Sequence, residues 1–303
     1  MFIADTHSDT LYALGVHKAK PDSLMITPEK LRTGGISLQT FALWTGPKGR
    51  EGDVNAIVHA ELGARAVMEK AGIHQVDDPD EVGDGEHAFM LSVEGGEVFE
   101  DGAYLVEDYR RLGVRMVALT WNHENRIGFP AKSGASTGLT SFGLTVVREM
   151  QKEHMAVDVS HLNEAGFYDI FAHTDVPPMA SHSCCSALCP HFRNLTDDQI
   201  RLMIREGGYI GINFYPSFLS AEGKADIATV VRHIDHICQM GGQKIVGFGS
   251  DFDGIETTPQ GLEGADCIPA LMEALKAAGM SSSDVEGIAG ENLRSYFRRI
   301  NAY

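Results

Sequence analysis

The chain has 303 residues, 43% of them hydrophobic and 22% charged, and a formal net charge of −17, the make-up of a soluble globular protein of α/β-barrel size. So negative a balance repels polyanions, which excludes nucleic acid and anionic membrane surfaces as expected partners and favours a small-molecule substrate. The opening Met1-Phe2-Ile3-Ala4-Asp5 lacks the basic and apolar regions of a signal peptide, and no run of about 18 apolar residues occurs, so a cytoplasmic location without membrane attachment is expected. Five cysteines, with Cys184, Cys185 and Cys189 crowded together but not in paired C-x2-C spacing, read as reduced thiols.

In chain order, short apolar β-branched runs alternate with longer segments whose apolar residues recur at spacings of three and four. Strands are expected over 2–5 and 37–43, then a helix over 54–70. A strand over 88–93, a helix over 104–112, a strand over 115–120 and a helix over 141–153 follow. The second half repeats the rhythm with strands over 156–159, 178–181, 209–214 and 244–249, and helices over 164–173, 197–206 and 227–240. Thr196 followed by Gln199 supplies the capping signal that opens the 197–206 helix. The tail from Ser281 is expected to close the barrel as extra helix. Eight strands in this alternation, with no linker or sequence repeat, predict a TIM-like (β/α)8 barrel, a single metallohydrolase domain over 1–303. An open doubly wound sheet is the rival architecture.

Barrel enzymes work from the C-terminal ends of their strands, where the loops converge. Metal-capable side chains recur there: His7 and Asp9 after the first strand, Glu94 after the third, His161 after the fifth, His182 after the sixth and Asp251 after the eighth. His7 and Asp9, two residues apart, point the same way in an extended segment. Imidazole and carboxylate are ordinary zinc ligands, and a carboxylate can bridge two cations, so the set suits one or two zinc-like ions. A bound water can then fall from a pKa of about 15.7 to about 7, which makes the spacing that of a metallohydrolase. Two alternatives stay open at this point: Glu94 as a helix-capping acid, and Asp253 exchanging roles with Asp251.

Five ordered segments carry a resemblance: Asp5-Thr6-His7-Ser8-Asp9-Thr10, Ser92-Val93-Glu94-Gly95-Gly96, Asp158-Val159-Ser160-His161, Ala180-Ser181-His182-Ser183 and Gly247-Phe248-Gly249-Ser250-Asp251-Phe252-Asp253-Gly254. Together they resemble the motifs of the membrane (renal) dipeptidase family, zinc-dependent peptidase family M19, over nearly the whole chain. The resemblance implies a metallo-dipeptidase that cleaves free dipeptides, including those with a C-terminal D-residue, through a hydroxide bridging two divalent metal ions, zinc first among them. It implies His7, Asp9 and Glu94 around one ion, Glu94 bridging to a second held by His161 and His182, and Asp251 as the acid/base. Arg193, eleven residues after His182, matches the arginine that holds the substrate carboxylate, a task suited to a guanidinium fork. Where the family often has a histidine after Leu-Thr at the fourth strand, this chain has Trp121. His123, two residues on, is the expected substitute in substrate binding if the strand continues.

The expected partner is thus a small dipeptide, and a homodimer is compatible with the reading. A surface role for Arg193, helping the nearby helix to start, is the bland alternative to the carboxylate clamp. His233 and His236 are read as packing or solvated residues, and Cys184, Cys185, Cys189 and His191 as loop packing beside His182. The competing functions are another amidohydrolase-like metallohydrolase, acting on a cyclic amide, lactone or phosphoester, and a non-catalytic metal-bearing binding barrel. His7-Ser8-Asp9 in place of His-x-His lowers the first, and Asp251, a proton shuttle that a pure binding site would not use, lowers the second. Cobalt and manganese suit the same N/O donors as zinc.

Overall fold

The computed structural model describes residues 1–47 and 53–303. Its strands are β1 (Ala4–Asp5), β2 (Leu38–Trp44), β3 (His74–Gln75), β4 (Ala88–Glu94), β5 (Val114–Ala118), β6 (Ala156–Asp158), β7 (Met179–Ala180), β8 (Tyr209–Ile212) and β9 (Val246–Phe248). They pair in the order β2-β1-β9-β8-β7-β6-β5-β4, and β4 pairs back onto β2 from Leu38↔Ala88 to Trp44↔Glu94. Every pairing is parallel, and the return of β4 to β2 closes the sheet into an eight-stranded TIM-like barrel instead of the open rival. All eight expected strands occur, with no end shifted by more than two residues. The two-residue β3, too short to show an alternation, joins the start of β4 through His74↔Ala88.

The expected helices surround the barrel. Glu164–His173 and Asp197–Glu206 keep the boundaries read from sequence, and Thr196 with Gln199 forms a reciprocal capping box. The 54–70 segment divides into Val54–Ala64 and Ala66–Lys70. Thr10–Gly15, Pro28–Gly34 and Ile268–Ala277 are further helices not anticipated from periodicity. Pro28–Gly34 carries a local signal nonetheless, because the Thr27 side chain accepts from the Lys30 amide and Pro28 fills the first turn.

Period-two alternation sorts the strand residues into two cores. Phe89, Leu91, Val117, Val157 and Ile210 face the helices in one large cluster. Their neighbours Ala88, Met90, Met116, Ala156 and Tyr209 face the barrel axis in a second cluster, completed from below by Leu293, Tyr296, Phe297 and Ile300. The tail thus closes the barrel floor with the helix Asn292–Ile300. Arg115, buried beneath it, lies 5.3 Å from the Phe297 ring and donates to Asn301 Oδ1 at 2.7 Å. Phe297→Ala should therefore cost about 3–5 kcal/mol of stability, the range for truncating a fully buried aromatic, measurable by urea unfolding. A loss below about 1 kcal/mol would mean the floor collapses to fill the gap.

Candidate metal centre and active site

The inward face of β4 runs Ala88, Met90, Ser92, Glu94, passing from packed apolar side chains to a buried carboxylate at the strand's C-terminal end. Around Glu94 the barrel gathers the other candidate ligands. Its Oε1 lies 2.8 Å from His161 Nε2 and 3.3 Å from His182 Nε2, while Oε2 lies 3.8 Å from His7 Nε2. His7 Nε2 is also 3.7 Å from Asp9 Oδ2 and 3.8 Å from Asp251 Oδ1. Glu94 is therefore no helix cap; it stands between the His7–Asp9 pair and the His161–His182 pair.

Backbone strain places several of these groups. His161, Asp251 and Asp253 all sit at positive φ, 68°, 63° and 65°, an uncommon region for residues with a Cβ that functional sites hold by surrounding structure. Gly254 is required beside them: a Cβ there would fall 2.0 Å from Asp9 Oδ2. Asp253 is already committed, accepting from Thr10 Oγ1 and the Met25 amide, each at 2.7 Å. Asp251 is the aspartate of this loop that faces His7, and its other oxygen accepts from Asn213 Nδ2 at 2.8 Å.

The hydrogen bonds behind the histidines assign their tautomers. Ser181 Oγ gives its single proton to Asp158, so at 2.7 Å from His182 Nδ1 it accepts, which leaves the His182 Nε2 lone pair free. Asn122 Oδ1, 3.1 Å from His161 Nδ1, does the same for His161. Burial holds both imidazoles well below their ordinary pKa, aided by positive Arg193 and His7. Neutral imidazoles with Nε2 unprotonated are the form a metal binds.

The arrangement fits divalent cations. Among the described residues, His7 Nε2 and Asp9 Oδ1 are buried without a hydrogen-bond partner. Burial would lower the His7 pKa, but Glu94, Asp9 and Asp251 carry it up to about 10, so the site pulls positive charge onto this nitrogen. Burial also raises Glu94 well above the carboxylate range, and Asp9 and Asp251 add to the rise. Ligand atoms of His7, Glu94 and His182 lie within 4.8 Å of one another, as do those of His7, Asp9 and Asp251. The 2.8–3.3 Å spacings of Glu94 to His161 and His182 approach the roughly 3.3 Å between ligands on one tetrahedral ion with bonds near 2.0–2.2 Å.

The cluster opens into a cavity of about 470 Å³ whose walls include Tyr12, Trp44, Trp121, Asn122 and Arg193. Arg193 is buried, with Nη2 donating to the His182 carbonyl at 3.3 Å and its guanidinium 5.5 Å from the Phe218 ring; it is not a surface residue. His123 is placed differently from the expectation. The fourth barrel strand ends at Ala118, so the alternation that would turn His123 inward does not extend that far. His123 instead lies against Trp121, with ring centroids 5.4 Å apart, and among the described residues it is not part of the cavity wall. Asn122, Asn213 and Asp158 are contributors that the sequence reading missed; only Asp158 stood inside a recognised motif. His233 is a packing residue, bonded to the Leu219 carbonyl and the Cys185 amide, and all five cysteines are free thiols.

A profile of the membrane dipeptidase family, peptidase family M19, matches residues 1–303. The chain belongs to that family. With it come the metallo-dipeptidase class and an implied requirement for divalent metal ions. A Klebsiella pneumoniae protein described as uncharacterized, from the pqqA 5' region, is 38% identical over 202 residues, 63% of this chain and 74% of its own length. The dipeptidase aclJ of Aspergillus oryzae is 35% identical over 67% of this chain, and the matched segment spans only about half, 49%, of that relative. Among solved structures, an M19 dipeptidase is 28% identical with a TM-score of 0.90, covering 99% of this chain and 98% of its own. A Rhodobacter sphaeroides metallopeptidase, solved with a phosphinate mimic of the dipeptide L-Ala-D-Ala, is 26% identical with a TM-score of 0.88 and 99% coverage of both chains.

Proposed function

We propose that this family member hydrolyses the peptide bond of free dipeptides, using two divalent ions, zinc foremost, held by His7, Asp9, Glu94, His161 and His182. The observation that carries the reading is the unpartnered His7 Nε2 ringed by three carboxylates at 3.7–3.8 Å, with two neutral histidines on the far oxygen of Glu94. Bound there, the ions would supply Lewis acidity toward the scissile carbonyl and bring the pKa of water near neutrality.

The protein's own groups do the rest. Asp251, braced by Asn213, takes the proton of the attacking water and delivers it to the leaving amine nitrogen. Arg193 pairs with the substrate's C-terminal carboxylate and so fixes the distance from carboxylate to reacting carbonyl. Trp44, Trp121 and Tyr12 wall the same cavity and limit water around the substrate. A D-residue at the C-terminal position is included in the substrate class, supported by the L-Ala-D-Ala mimic bound by the Rhodobacter relative.

Kinetics with metal-loaded enzyme test this. Free dipeptides should be cleaved, while C-terminally amidated dipeptides and tripeptides should lose about 2–5 kcal/mol in kcat/KM, the range for deleting one partner of a desolvated ion pair. Arg193→Ala should lose similarly on free dipeptides. If amidated dipeptides or tripeptides are cut as fast as free dipeptides, the clamp is wrong and the dipeptidase reading goes with it.

A further inference from the structure

Both tryptophans of the chain, Trp44 and Trp121, stand in the wall of the cavity that opens from the carboxylate cluster. Trp44 is the last residue of β2 and pairs in register with Glu94, the last residue of β4. Register partners on neighbouring parallel strands turn the same way, so the Trp44 side chain faces the barrel mouth as Glu94 does, above the inward Leu38 of its own strand. Trp121 follows β5, and its ring centroid lies 4.8 Å from that of Trp44 at 67° and 6.2 Å from that of His161. The buried Tyr12 ring backs Trp44 at 4.5 Å. Each indole is half-buried, so part of it remains open to the cavity.

The position of this wall relative to Arg193 assigns it. In the closed ring of eight, β2 lies four strands from β7, directly across the mouth from the loop after β7 that carries Arg193. The ligand cluster, drawn from β1, β4, β6, β7 and β9 and the loops after them, fills the centre. A dipeptide with its carboxylate on Arg193 and its scissile carbonyl at the cluster therefore carries its N-terminal residue toward Trp44 and Trp121. The chemistry of the wall selects the side chain. Besides Glu94, the described residues that β2, β4, β5 and the loops after them bring to the cavity are Trp44, Trp121 and Asn122, none of them charged. Asn122 is already engaged with His161. A charged side chain would lose hydration there without gaining a counter-charge, whereas a hydrocarbon one gains contact with the indole faces and edges.

We propose that Trp44 and Trp121 form the subsite for the side chain of the substrate's N-terminal residue, and that it selects a large apolar side chain, aromatic first. The proposal rests on the carboxylate anchorage at Arg193 given above. Trp121, on a loop and not in a strand, is the residue that can be truncated without breaking the sheet.

The test compares kcat/KM of metal-loaded enzyme for Phe-Ala, Leu-Ala, Ala-Ala, Lys-Ala and Glu-Ala, each with the better configuration of the second residue. Phe-Ala and Leu-Ala should exceed the other three by about tenfold or more, the scale of burying one large apolar side chain. Trp121→Ala should lower the Phe-Ala to Ala-Ala ratio at least about fivefold and leave the Ala-Phe to Ala-Ala ratio within about twofold. Because both tryptophans stand at the subsite, protein fluorescence reads its occupancy without turnover. A phosphinate mimic of Phe-Ala should move the emission to shorter wavelength by more than a mimic of Ala-Ala does, and this shift with the wild-type ratios decides the matter if Trp121→Ala does not fold. Equal shifts, a flat profile with active enzyme, a preference for Lys-Ala or Glu-Ala, or a Phe-Ala preference unmoved by Trp121→Ala overturns the subsite and leaves the dipeptidase reading intact. Failure to cleave any dipeptide overturns both.

Discussion

Asp251→Asn is expected to lower kcat at least about a hundredfold with the metal content unchanged, the scale of removing a general acid/base. Asp251 stands among the ligand-capable atoms of the cluster, so metal content has to be read beside turnover. One Asp251 oxygen is held by Asn213 Nδ2 at 2.8 Å and the other stands 3.8 Å from His7 Nε2, in the wall of the main cavity. Asparagine keeps the shape and loses the capacity to take up a proton. The left-handed backbone at this residue persists, since asparagine tolerates that conformation about as well as aspartate. Turnover measured beside metal analysis by mass spectrometry distinguishes the possibilities. Metal lost in step with activity would make Asp251 chiefly a ligand, and near-normal turnover would remove it from the mechanism.

The parts of this site legible in the sequence are those that depend on strand alternation. Ala88, Met90, Ser92 and Glu94 share a face because a strand repeats every two residues, so the position of Glu94 follows from that of the apolar residues below it. His7, His161, His182 and Asp251 follow from the rule that barrel loops converge above the strand ends. What was illegible depends on where strands stop and which loops meet. His123 was expected inward on a strand that ends at Ala118, and the residue that instead supports His161 is Asn122. Asn213 reaches Asp251 across 38 positions of sequence, a contact that no local pattern encodes. The paired atoms of Ser181 and Asp158 were inside recognised motifs, but their task, fixing the His182 tautomer, appears only when two neighbouring strands are side by side.

Glu94→Gln should have the broadest effect of any substitution at the centre. Wild-type protein loaded with zinc is expected to hold two ions per chain, and the variant should fall to one or fewer, with kcat/KM down at least about a thousandfold, a loss of roughly 4 kcal/mol that matches the several kcal/mol of Lewis-acid stabilisation at stake. The reason lies in the two oxygens of Glu94: one faces His161 and His182 and the other faces His7. An amide offers one neutral oxygen in place of two that share a charge, so both halves of the cluster lose a ligand of the right sign. Glu61 supplies a control of matched chemistry. It is fully buried, accepts from the Trp44 amide at 2.9 Å, and is held neutral by burial, with its pKa raised to about 9. Because its side chain is already uncharged, Glu61→Gln should keep both ions and most of the activity. Wild-type enzyme that is fully active with no more than one ion would defeat the two-ion assignment. A Glu94→Gln variant that retains two would show that the carboxylate does not join them.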